Sequence, residues 1–264
     1  STDGDYGLWT LSDPSGALAD IVFVHGLTGN RETTWTHKQT KNFWPQTLLP
    51  QDLPNARIFT FGYDADIIGT LEAAGSSTLR DHGKSLANDL ALRRMKSRSN
   101  QRPLIFVAHG LGGLNTQAPL ISRSAMQQYL KDILESTAAI AFVSTPHVGS
   151  TKADWATPLT RLCNILRKTN IEIVQVLKPG SEMLANLQQE FHTMLDDRSR
   201  NHMKTMNIFC FYEELPVVGV GKIMPDHSAL LGAYPNRSIH GNHMQMVRFT
   251  GARDVGHVAV SDQL

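Results

Sequence analysis

The run Leu104-Ile105-Phe106-Val107-Ala108-His109-Gly110-Leu111-Gly112-Gly113 constrains this chain more than any other stretch. It is an apolar segment of strand length that stops at a glycine-rich corner and leads into residues of helical character. Read as strand, sharp turn and helix, it follows the pattern G-x-S-x-G, in which the turn lifts a serine clear of the sheet as a nucleophile. Two positions depart from that pattern. Ala108 replaces the first glycine, a mild change where only a small side chain is needed between crowded strand and helix backbones. Gly110 replaces the serine, so the turn carries no oxygen to attack anything, while glycine suits the strained central position better than serine does. A plain strand-to-helix loop or a phosphate-binding turn would be the alternatives. Neither G-x-G-x-x-G nor a Gly-Lys-Ser/Thr ending is present.

The remaining bounds come from composition. With 264 residues, 41% of them hydrophobic and 19% charged, the chain is long enough for one large α/β domain spanning 1–264 and short for two. A formal net charge of +1 gives no electrostatic case for nucleic acid or an anionic membrane. The one basic cluster, Arg93, Arg94, Lys96, Arg98 and Arg102, sits where a helix ends, and reads as a solvated terminus that complements the helix dipole. Two cysteines, Cys163 and Cys210, form no disulfide framework and fit a reducing compartment, hence the cytoplasm. No apolar run is long enough for stable membrane insertion, and the start at Ser1 leaves room for a longer chain.

In order, strands are expected at 6–11, 19–24, 57–64, 104–109, 139–145 and 205–212, with helices at 78–96, 111–117 and 125–134 between them. Pro119 should break or kink the helix that follows the corner. Alternation of strand and helix argues for a mostly parallel sheet flanked by helices on both faces. From 152 to 200 no strand-like run occurs, and Met183, Leu184, Leu187, Phe191, Met194 and Leu195 share one helical face, which reads as a helical cap inserted between late strands. A helical run is expected to end at Asp254-Val255-Gly256-His257.

This series follows the order of an α/β-hydrolase fold: nucleophile, then acid, then histidine on late loops. Here Gly110 holds the nucleophile position, Glu213 or Asp226 is the acid, with Glu213 preferred because it leaves its strand directly, and His243 is the base. His240 and His257 are rivals for the base. The strand Val22-Phe23-Val24 ends in His25-Gly26-Leu27, where one backbone N–H of an oxyanion hole is expected, so Leu27 and Leu111 are the candidate oxyanion donors. Metal hydrolysis is the poorer reading, because there is no H-E-x-x-H and His240-x-x-His243 has no ligand set at suitable spacing. No motif calls for a cofactor.

Several runs resemble one family in succession: Val22 to Leu27 with Thr34-Trp35, Ile58 to Ala65, the Ala108 to Gly113 corner, Thr145-Pro146-His147-x-Gly149-Ser150, Phe211 to Pro216, and His243 to Phe249. They are similar to the lipase/esterase-like serine hydrolases related to GPI inositol-deacylase, which occur as N-terminal modules of fungal nucleotide-binding receptor proteins. The resemblance implies a carboxylic-ester hydrolase acting by acyl transfer on a small-molecule or lipid ester, with Gly110 an inactivating substitution at the family's serine. The other reading is a naturally inactive module that binds a lipid, ester or protein partner as a sensor. Gly110 favours the second reading, and the retained histidine and carboxylates favour the first.

Overall fold

The computed structural model describes residues 5–26, 29–64, 72–120, 128–147, 161, 182–200, 204–223 and 234–264. Seven strands form one sheet: β1 (Gly7–Ser12), β2 (Ala19–Val24), β3 (Ala56–Gly62), β4 (Leu104–His109), β5 (Thr137–Val143), β6 (Asn207–Glu213) and β7 (Asn236–Ile239). Their spatial order is β1-β3-β2-β4-β5-β6-β7. β1 runs antiparallel to β3, and every other pairing is parallel. The described helices are α1 (Trp44–Thr47), α2 (Leu49–Asp52), α3 (Glu72–Lys96), α4 (Gly112–Leu120), α5 (Gln128–Ser136), α6 (Glu182–Arg200) and α7 (Val255–Ser261). A mostly parallel sheet, helices on both faces and a helical insertion between β5 and β6 make this an α/β-hydrolase fold.

Strand side chains alternate between faces, so each central strand feeds two cores. Val22, Val24, Phe106, Ala108, Ile140 and Phe142 join Leu86 and Leu90 of α3, Leu114 of α4 and Phe191 of α6 on one face. On the other, Ile21, Phe23, Ile105, Val107, Ala141 and Val143 meet Trp35, Trp44, Phe249, Ala259 and Val260. Burial on both faces explains why β2, β3 and β4 read as nearly unbroken apolar runs.

Three expectations are revised. α4 continues through Pro119 instead of breaking there. Gly83 of α3 makes room for it, since a Cβ at Gly83 would lie 2.9 Å from Pro119 Cδ and 3.0 Å from the Asn115 carbonyl oxygen that proline leaves without its helical donor. The C-terminal helix begins near Asp254 instead of ending there: the Asp254 carboxylate accepts from Gly256 N–H at 3.0 Å and caps α7. The basic cluster is only partly a solvated helix end. Asp20, fully buried near the start of β2, takes Arg57 Nε and Nη2 at 2.9 Å each, Arg94 Nη1 at 2.6 Å and Arg102 Nη1 at 3.0 Å. Arg57 also donates to Ser97 and Ser99 Oγ, both at 2.8 Å. This network ties β2, β3, the end of α3 and the approach to β4 together at the end of the sheet remote from the strand carboxyl ends.

Removing the shared carboxylate strands buried guanidinium groups without a counter-charge. Asp20→Ala should therefore lower unfolding free energy by about 3–5 kcal/mol, read from urea denaturation midpoints. A loss below 1 kcal/mol would show that the network contributes little.

Candidate active site

The site grows from a close approach of backbones. β4 lies between β2 and β5, and its carboxyl end runs into Gly110, whose φ of +53° lies in the left-handed region that favours glycine. Gly110 N–H donates to the Val143 carbonyl at 2.9 Å, which fixes the turn against β5. Two residues on, a Cβ at Gly112 would sit 2.2 Å from the His25 carbonyl oxygen and 2.7 Å from that of Val24, so only glycine lets α4 start against the end of β2. A Cβ at Gly113 would likewise fall 2.3 Å from Thr145 Cγ2.

His243 faces this turn. A Cβ built on Gly110 would lie 3.3 Å from His243 Nε2 and 3.6 Å from its Cε1, with Gly26 Cα at 3.9 Å. The other ring nitrogen, Nδ1, is 2.9 Å from Ser144 Oγ. Glu213 is fully buried at the end of β6. Leu111 is buried in the turn, whereas Leu27 and Asp226 lie outside the described residues.

The rivals for the base stand elsewhere. His240 is exposed, with Nδ1 2.9 Å from Glu214 Oε2, whose other oxygen accepts from Ser238 Oγ at 2.5 Å. His257 is buried against Trp44 and Phe249, with Nε2 2.7 Å from Asp52 Oδ2. His25 serves the scaffold: Nδ1 donates to Gly26 O at 2.7 Å, Nε2 accepts from Tyr63 N–H at 3.3 Å, and the two rings stack at 4.3 Å. His109 packs on His243 at 4.7 Å and donates from Nε2 to its carbonyl at 2.9 Å, holding the loop that carries His243. A small pocket beside Gly26 is lined by Thr34, His109, Met244 and Arg248. Sequence reasoning missed Ser144, Thr34 and Arg248. A Ser-Thr-Pro-His strand exit does not reveal which residue meets a histidine about a hundred positions later.

Burial keeps the imidazoles of His25, His109, His147 and His243 neutral. It lowers His25 and His109 to about 4, and His147 to about 3, against an ordinary value of 6.5. Burial, followed by the His109 ring alongside, holds His243 well below 6.5. No described group of three or more His, Cys, Asp or Glu side chains could hold a metal ion, and no described helix is long and apolar enough to cross a membrane.

The pH dependence of stability follows. His25, His109 and His147 take a proton near 6.5 when unfolded but only near 4 or 3 when folded, so the unfolded chain binds more protons as pH drops. The stabilisation is complete above 6.5 and is lost as pH falls toward 4, by up to about 1.4 kcal/mol per histidine per pH unit. Melting temperatures should decline steeply from pH 7 to pH 5, and His147→Gln should flatten the decline. A profile flat over that range would contradict neutral burial.

The chain is similar to known proteins in sequence and in fold. Residues 19–209, from the start of β2 into β6, match the family model described as “Putative serine esterase (DUF676)”. Protein SERAC1 of Danio rerio is 27% identical over 253 residues, covering 87% of this chain and 36% of its own length. Protein SERAC1 of Homo sapiens is 25% identical over the same share of each. The chain thus spans about a third of the length of these curated relatives. Among solved structures, a lipase-esterase related protein from Clostridium acetobutylicum ATCC 824 covers 98% of both chains at 10% identity and a TM-score of 0.47. The family model takes in well over half of the sequence, including the β4 turn, and the chain belongs to that serine-esterase family.

Proposed function

We propose that the site is that of a carboxylic-ester hydrolase working by acyl transfer through a serine, a histidine and an acid, with Gly110 standing where the serine belongs. The carrying observation is the 3.3 Å between a Cβ at residue 110 and His243 Nε2. A serine hydroxyl projecting from that Cβ reaches hydrogen-bond distance of Nε2, once the ring yields by a few tenths of an ångström. The left-handed backbone at 110 strains a serine, as nucleophile turns do.

With serine in place, its Oγ attacks the ester carbonyl, forming the C–O bond of a tetrahedral intermediate, while His243 Nε2 takes the hydroxyl proton. That proton then passes to the departing alcohol oxygen as the acyl–oxygen bond breaks, and water repeats the sequence to release the acid. The N–H groups of Leu27 and Leu111 hold the oxyanion, and Glu213 is the acid, with Ser144 Oγ rather than its carboxylate standing at His243 Nδ1. The cap over the acyl site is assigned to 152–200, of which 152–160 and 162–181 lie outside the described residues. The resemblance of the motif series to lipase/esterase-like serine hydrolases supports a small-molecule or lipid ester as substrate, and the low cysteine content supports the cytoplasm.

Without the hydroxyl the attack has no nucleophile, and turnover falls by about a millionfold, or roughly 8 kcal/mol of transition-state stabilisation. Binding does not depend on that oxygen. Gly110 itself therefore favours a second reading, a module that holds an ester, lipid or protein partner without cleaving it.

Gly110→Ser should react covalently with a fluorophosphonate and hydrolyse nitrophenyl esters, while the Gly110 protein does neither. Adding His243→Ala should abolish both gains. If Gly110→Ser keeps its melting transition yet stays unlabelled and inactive on short and long acyl chains, the binding reading replaces this one.

A further inference from the structure

Ser144, the first residue after β5, has a φ of +49°, a left-handed backbone that a side chain rarely adopts. Its N–H donates to Phe211 O at 2.7 Å, its side chain is fully buried, and its Oγ is the group 2.9 Å from His243 Nδ1. Glycine would fill the position with less strain. A hydroxyl kept at a strained, buried point and aimed at an imidazole calls for an account of what that hydroxyl does.

We infer that Ser144 is the positioning residue of His243: its Oγ accepts the Nδ1 proton and leaves the Nε2 lone pair turned toward residue 110. As a contribution to catalysis this rests on the proposed role of residue 110, but the hydrogen bond itself does not. A neutral ring has one proton for two nitrogens. On Nε2 that proton would point toward Gly110, which offers no acceptor side chain; on Nδ1 it meets Ser144 Oγ. A buried N–H without an acceptor is costlier than an open lone pair, so Nδ1 takes the proton. Burial and the His109 ring keep His243 neutral, so a fixed tautomer is what a partner at Nδ1 can supply. A hydroxyl does this by orientation alone, without the opposite charge a carboxylate would bring.

Nitrogen-detected NMR of histidine-labelled protein tests the inference on the chain as it stands. The His243 signal, assigned by its loss in His243→Gln, should show Nδ1 protonated and Nε2 bare at neutral pH. Ser144→Gly suits the left-handed backbone and should keep the melting transition, yet move His243 toward the Nε2–H form that free imidazole side chains favour. Ser144→Ala should do the same, and Ser144→Thr should preserve the native tautomer. An Nε2–H signal in the unaltered protein, or an unchanged Nδ1–H signal in folded Ser144→Gly, overturns the inference. In Gly110→Ser, adding Ser144→Gly should slow fluorophosphonate labelling by about tenfold or more, with half-saturation unchanged and Ser144→Thr restoring the rate. If Gly110→Ser alone is not labelled, the reading of the site fails, and the tautomer measurement still decides the role of Ser144.

Discussion

A carbonyl oxygen 2.2 Å from where a Cβ would stand on Gly112 sets the geometry of this molecule. The contact lets the start of α4 press on the last residues of β2. That approach puts Gly26 beside Gly110 and brings the exits of two neighbouring parallel strands to one point. Parallel sheets gather ligands at the carboxyl ends of their strands. Here the ends of β2, β4 and β5 deliver backbone groups, the left-handed turn and Ser144, while the segment after β7 brings His243 over them.

The two ends of the sheet are built on different physics. At the far end, one buried carboxylate binds three guanidinium groups, and charge holds the strands and α3 in register. At the site end the buried histidines are neutral. His25, His109 and His243 are buried and uncharged, and they hold loops through hydrogen bonds and ring contacts. Such an end is sensitive to acid, because burial removes each imidazole from the water that would solvate its charge. It also suits a base that must be unprotonated before it can act.

Much of this was legible in the sequence because period and punctuation carry it. The apolar runs of β2, β3 and β4, the glycines at 110, 112 and 113, and the order of the corner and His243 each follow from local chemistry. β7 was not legible: Asn236-Arg237-Ser238-Ile239 is an edge strand with one buried apolar residue, so no alternation marks it. The run through Pro119 was misread because the space that admits it belongs to Gly83, thirty-six residues earlier and on another helix. Arg94 and Arg102 read as solvated because nothing near them in sequence announces Asp20. Ser144 was invisible for the same reason, since its role depends on a positive φ and a histidine from the far end of the chain.

The most direct measurement of the central claim is a crystal structure of Gly110→Ser after reaction with a fluorophosphonate. The account predicts a covalent bond from Oγ of residue 110 to phosphorus, with His243 Nε2 within about 2.6–3.2 Å of that oxygen and Ser144 Oγ still on Nδ1. An unmodified serine turned away from His243, or a His243 ring swung out of the turn, would contradict it.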